Sequence, residues 1–177
     1  TQSRSSAASD VYKRQDKDAI YSAEGGGAVT NSNLVIGTIQ PYGGEHGIGT
    51  HPESFAIYGF HKYFVDPIHN VVMRLGGNGS LIQISDAGMK AFFRDTISSV
   101  DSPVFGKGKM IGGWDIYSKE YVLSLQPSDP NITYKTLTFD EKVKGWVSFY
   151  TYEPSQVFSV ANNYYTAKDL SLIHISE

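Results

Sequence analysis

Three segments of the chain repeat one plan: an extended run that ends at an aspartate, a short polar turn, and a return run alternating aromatic or branched residues with others. They are Tyr58–Leu75 (YGFHKYFVDPIHNVVMRL), Met110–Leu125 (MIGGWDIYSKEYVLSL) and Tyr134–Tyr150 (YKTLTFDEKVKGWVSFY). Aligned on Asp66, Asp115 and Asp140, the return runs open on Val72, Tyr121 and Trp146, each six residues beyond its aspartate. Alternation of period two is strand patterning. An aspartate at a strand end accepts hydrogen bonds from backbone N–H groups two residues on, and Pro67 fixes φ for a turn. Each segment is therefore predicted to be a β-hairpin, with Asp66, Asp115 and Asp140 as turn makers. Tyr121, Trp146 and Phe149, at or after the start of return strands, are expected to pack in the core or between sheets.

The spacing of the hairpins suggests how they assemble. Asp66 and Asp115 lie 49 residues apart, and Asp115 and Asp140 lie 25 apart. A four-stranded propeller blade occupies about 40–50 residues, so one hairpin fills about half of it. The expected fold class is mainly β: a partial β-propeller of antiparallel hairpins, or blades, with one short inserted helix. The 12 Tyr, 9 Phe and 18 Gly agree with sheets and turns.

The helix is expected near Asp86–Ile97, capped by Ser85 or Asp86, with Met89, Phe92, Phe93 and Ile97 on one face and Gly88 weakening its first turn. That apolar stripe is read as packing, with a groove for a partner as the alternative. Before it, the turn Gly76–Ser80 (GGNGS) leads into a short strand at Leu81–Ile84. Upstream of Pro52 the chain reads as loop, with Gly25–Gly27 and Tyr42–Gly49 (YGGEHGIG) on either side of one short strand, Leu34–Ile39. No Gly-Lys-Ser/Thr follows these glycines, so they serve turns rather than phosphate.

The two ends carry a signature of another kind. Asp10–Gln15 (DVYKRQ) back-translates as GAT GTG TAT AAG AGA CAG, whose reverse complement reads LSLIHI, the sequence of Leu170–Ile175. Ser5–Gln15 and Leu170–Glu177 thus resemble the two strands of a translated sequencing-library adapter, and such segments stand outside fold reasoning. The expected organisation is residues 1–15 as adapter-derived tail, 16–51 as a loop-rich segment with one strand, 52–169 as partial propeller blades, and 170–177 as a second tail. The second tail alternates well enough to join a sheet as an edge strand.

Charge narrows the function. The formal net charge is −3, there is no basic run, and sequence-specific nucleic-acid binding is not expected. No apolar run approaches the roughly 20 residues of a membrane-spanning helix, and no membrane partner is expected. The cysteine count of zero removes disulfides and cysteine metal sites.

Of the five histidines, the four outside the adapter-like tails, His46, His51, His61 and His69, invite a metal hypothesis, but none shows the i,i+4 spacing of a helical zinc site. They are read as surface or half-buried residues, and no metal or cofactor is assigned. Glu45, Glu53, Asp66, Asp115 and Asp140 are the candidate carboxylates for acid–base catalysis. Three of these occupy equivalent turn positions, which fits turn-making better than a catalytic pair. No Gly-x-Ser-x-Gly elbow, cysteine nucleophile or kinase signature is present. No catalytic residue is assigned.

Five blocks, Pro52–Ala56 (PESFA), Tyr63–Leu75 (YFVDPIHNVVMRL), Ile84–Met89 (ISDAGM), Phe92–Asp95 (FFRD) and Thr138–Tyr150 (TFDEKVKGWVSFY), together resemble virion proteins of crAss-like phages. These are tail proteins of the stabilization, nozzle or muzzle type. The resemblance implies a non-enzymatic, propeller-containing structural protein, assembled in the host cytoplasm into the virion. It would form a homo-oligomeric ring around the DNA exit path, with other tail proteins as partners. It transfers no site residue. The alternative is a secreted or surface β-propeller that binds or cleaves carbohydrate.

Overall fold

The computed structural model describes residues 45–168 and 171–174 of the 177. The expected strand at Leu34–Ile39, the Gly25–Gly27 triplet and the N-terminal tail lie outside the described residues. Among the described residues the fold is mainly β, with antiparallel sheets and one α-helix.

Each sheet is an up-and-down meander. The first runs β1 (Ala56–Tyr58), β2 (His61–Asp66), β3 (Val71–Leu75) and β4 (Leu81–Gln83); the second runs β5 (Lys109–Asp115), β6 (Glu120–Gln126), β7 (Lys135–Asp140) and β8 (Gly145–Tyr150). The third contains β9 (Gln156–Val160), β10 (Asn163–Lys168) and β11 (Ser171–His174), with β10 in the middle. β11 pairs with β10 from Lys168↔Ser171 to Tyr165↔His174, so part of the LSLIHI segment is an edge strand.

The three aspartate turns share one geometry. Asp66 pairs with Val71, Asp115 with Glu120 and Asp140 with Gly145, leaving a four-residue loop each time. One carboxylate oxygen accepts the N–H two residues on, from Ile68 at 3.0 Å, Tyr117 at 2.8 Å and Lys142 at 2.6 Å. The last loop residue reverses the chain through the left-handed region: Asn70 at φ 57°, Lys119 at 63° and Lys144 at 55°. Their places in the meanders differ. Asp66 closes the second hairpin of its sheet, whereas Asp115 and Asp140 close the first and third of theirs. The interval between Asp66 and Asp115 therefore does not measure one repeat of the sheets. The first strands do so, opening at Ala56, Lys109 and Gln156, roughly 50 residues apart.

β5 lies between its neighbours, against β1 and the 3₁₀ turn Pro52–Ser54 on one side and β9 on the other. Successive strand residues face opposite ways, and β5 carries a glycine for each side. A Cβ on Gly112 would sit 2.0 Å from the Ser54 carbonyl oxygen, and one on Gly113 would sit 2.3 Å from Val157 Cγ2. Hydrogen bonds tie the same junctions. The Tyr121 hydroxyl donates to the Ser54 carbonyl at 2.7 Å, and the Ser159 hydroxyl donates to the Trp114 carbonyl at 2.5 Å. Between the first two sheets, Tyr63 stacks on Tyr121 at 4.8 Å and on Trp114 at 5.4 Å. The Tyr63 hydroxyl donates to Glu141 at 2.6 Å, and Arg74 completes the group through the other oxygen of that carboxylate.

The helix, α1, spans Lys90–Ser98, later than expected. Gly88 takes φ 76°, outside helical space, and Ile84–Asp86 forms a separate 3₁₀ turn, so neither Ser85 nor Asp86 caps α1. The residue at the cap is Met89, which makes no side-chain cap bond. The expected stripe does face inward: Phe93 and Ile97 are buried, with Met89 and Phe92 packed against the same core.

Tyr121 is fully buried, as expected, but Trp146 is only half-buried and Phe149 is 59% exposed. An odd offset normally puts Trp146 and Phe149 on opposite faces. Here Phe139 pairs with Trp146 and Thr138 with Ser148, so Val147 bulges and Phe149 pairs with Leu137. The bulge returns both aromatics to the helix-facing side. Trp146 packs on Phe93 at 4.5 Å and its indole N–H donates to the Ile84 carbonyl at 3.0 Å. Phe149 meets Phe92 edge-on at 5.6 Å, on the strand that is outermost in its sheet among the described residues. It belongs to the rim of the core, not its interior.

Candidate functional site

Two of the five carboxylates considered above are committed to local turns. Asp115 accepts the N–H groups of Tyr117 and Ser118 and the Ser118 hydroxyl, while Asp140 accepts the N–H of Lys142. Glu45 and Glu53 are exposed.

Asp66 is different. Its side chain is buried, and its two oxygens do separate work. Oδ1 accepts the backbone N–H groups of Ile68 and His69, at 3.0 and 3.3 Å, which makes the turn. Oδ2 faces three groups: His69 Nδ1 at 2.7 Å, His46 Nδ1 at 3.0 Å and the Gly47 N–H at 3.3 Å. The two imidazoles meet edge to face, their centroids 4.9 Å apart, and both remain partly open to solvent. Among the described residues, this is the group of three metal-ligating side chains that converge, with ligand atoms within 4.8 Å of one another.

The hairpin delivers Asp66 and His69 three residues apart across one turn. His46 arrives from the glycine-rich stretch before Pro52. Gly49 makes that approach possible: it takes φ 61°, and a Cβ on it would come within 2.8 Å of Pro67 in the same turn. Burial alone would push the Asp66 carboxyl up. The hydrogen bonds from His69 and His46, the His69 backbone and the charge of the His69 ring outweigh that and hold it below the ordinary aspartate value.

The histidines do not group by sequence proximity. His51 is 3% exposed, not at the surface, and its Nε2 lies 3.1 Å from Asp101 Oδ2. His61 meets Tyr63 edge-on at 6.4 Å and joins no metal-ligating cluster among the described residues. The pair that meets, His46 and His69, spans 23 positions with no periodic relation. The one local signal is His69 in a turn where the other two copies carry Ser118 and Val143.

No protein-family model matches the chain, and no curated protein matches it significantly.

Proposed function

We propose that this chain is part of a β-propeller-bearing structural protein of a phage virion, built into a ring around the DNA exit path of the tail. The observation that carries the reading is the arrangement of the first strands. β1, β5 and β9 open successive antiparallel meanders, and β5 packs between the other two, with Gly112 against Ser54 in the turn that leads into β1 and Gly113 against Val157 on β9. Radial repetition of four-stranded meanders with their first strands innermost is how propeller blades assemble.

Exposure supports the same reading. Ile57 on β1, and Phe158 and Val160 on β9, are exposed, whereas Met110, Ile111 and Trp114 on β5 are buried. The outer sheets thus present the apolar residues that further blades would cover. The virion assignment rests on the resemblance of the blocks from PESFA to TFDEKVKGWVSFY to tail proteins of crAss-like phages. A negative net charge suits a conduit, because a basic lumen would hold the passing duplex by counterion release. Copies of the same protein and other tail proteins are its partners.

Mass spectrometry of purified, DNA-filled particles tests the assignment. Peptides such as Val72–Arg74 and its flanks should be present at a copy number that is a multiple of the ring. Their absence from intact particles would refute it. So would a full-length monomer that hydrolyses a polysaccharide and loses that activity on Asp115→Asn.

A further inference from the structure

We propose that His46, Asp66 and His69 form a binding site for a zinc-like divalent transition cation, which clamps residues 46–49 onto the first aspartate turn. The inference is independent of the virion assignment.

The turn itself does not require these groups. At Asp140 an equivalent turn is made by the carboxylate and backbone alone, and at Asp115 a serine hydroxyl occupies the place of the His69 ring. In the first copy, Oδ1 completes the turn and Oδ2 is left to two imidazoles that belong to different stretches of chain. Two imidazoles and one carboxylate form a ligand set suited to zinc and its neighbours, and poorly suited to magnesium or calcium.

The distances are close to those needed. Ligand bonds of about 2.0–2.2 Å in a tetrahedral shell place donor atoms roughly 3.3 Å apart. The observed separations from Asp66 Oδ2 are 3.0 Å to His46 Nδ1 and 2.7 Å to His69 Nδ1. Side-chain rotation that lengthens the two contacts to Asp66 Oδ2 by a few tenths of an ångström, and sets the imidazole nitrogens, which lie within 4.8 Å of each other, at the same spacing, admits the ion, each ring then carrying its proton on Nε2. The Gly47 N–H and the turn amides keep the carboxylate oriented, as outer-shell donors do at metal centres. The partly exposed imidazoles leave one side open to a water ligand.

The test uses the tag-free 177-residue chain, stripped with EDTA and titrated with ZnCl₂ by calorimetry. One zinc per chain is expected. The melting temperature should rise by about 5–10 °C at zinc roughly 100-fold above Kd, and MgCl₂ should not reproduce the rise. His46→Gln and His69→Gln should each abolish the stoichiometric binding, and His61→Gln should preserve it. These two variants leave the Asp66 turn bonds in place, unlike Asp66→Asn. CoCl₂ added to the unmutated chain should give the intense visible absorption of four-coordinate cobalt. Absence of saturable zinc binding, or binding that survives both histidine substitutions, would overturn the proposal.

Discussion

The Tyr121 hydroxyl donates a 2.7 Å hydrogen bond to the carbonyl of Ser54, joining the second strand of one sheet to the turn that precedes another. Both residues are fully buried, and Gly112 lies against the same carbonyl. Tyr121→Phe keeps the ring stack and leaves that oxygen without its donor, so it should cost about 1–3 kcal/mol in urea unfolding. Gly112→Ala should cost at least as much, about 3 kcal/mol, because its new methyl meets backbone rather than a movable side chain. A neutral effect of both would mean that the first two sheets do not pack as described.

Trp146 and Phe149 sit on one face of β8 but differ in depth. Trp146→Ala removes a ring packed on Phe93 and an N–H bonded to Ile84, and should destabilise by about 3 kcal/mol. Phe149→Ala should cost below about 1.5 kcal/mol, since more than half of that side chain is already in water. Equal losses measured by chemical denaturation would place Phe149 in the interior.

The aspartate turns are legible in the sequence because their chemistry is local: a carboxylate, an amide two residues on, and a reversal before the return strand. Only Asn70 announces that reversal, since Lys119 and Lys144 are unfavourable left-handed residues. The start of α1 is harder to read, because Gly88 could weaken a helix or end one, and the backbone angle decides. The bulge at Val147 is invisible to alternation, which assumes unbroken register. The His46–Asp66 contact has no periodic signal, for it depends on how a glycine-rich segment folds back over Pro67.

Lys119→Gly and Lys144→Gly relieve left-handed strain of about 1–2 kcal/mol at the expense of about 1 kcal/mol in chain entropy. Each should be neutral or stabilising by up to about 1 kcal/mol. Asp115→Ala should destabilise by about 1 kcal/mol through the lost turn bonds. Guanidinium unfolding of the three variants decides. A gain on removing the aspartate would contradict its role in the turn.

Alkaline pH should unfold the protein through its tyrosines. Burial pushes Tyr63, Tyr121 and Tyr164 well above the usual phenol value, and Tyr63 also donates to the Glu141 carboxylate. Burial likewise pushes Tyr152 up to about 12. In the unfolded chain these phenols ionise near about 10. Their contribution is complete below that pH and is lost as pH rises toward the folded-state values. Tyrosinate absorbance should show these four ionising only together with loss of the β-sheet circular dichroism signal. Titration of all 12 tyrosines in one reversible step, with the sheets intact, would contradict their burial.

Imaging the protein tests most directly the proposal that the three described sheets are consecutive blades of a ring-forming virion protein. Negative-stain class averages should show toroidal particles with a central channel, in which β1, β5 and β9 line the inner wall of each propeller when the map is fitted. Particles without a channel, or a fitted map in which the exposed faces of β1 and β9 meet solvent rather than further blades, would contradict it.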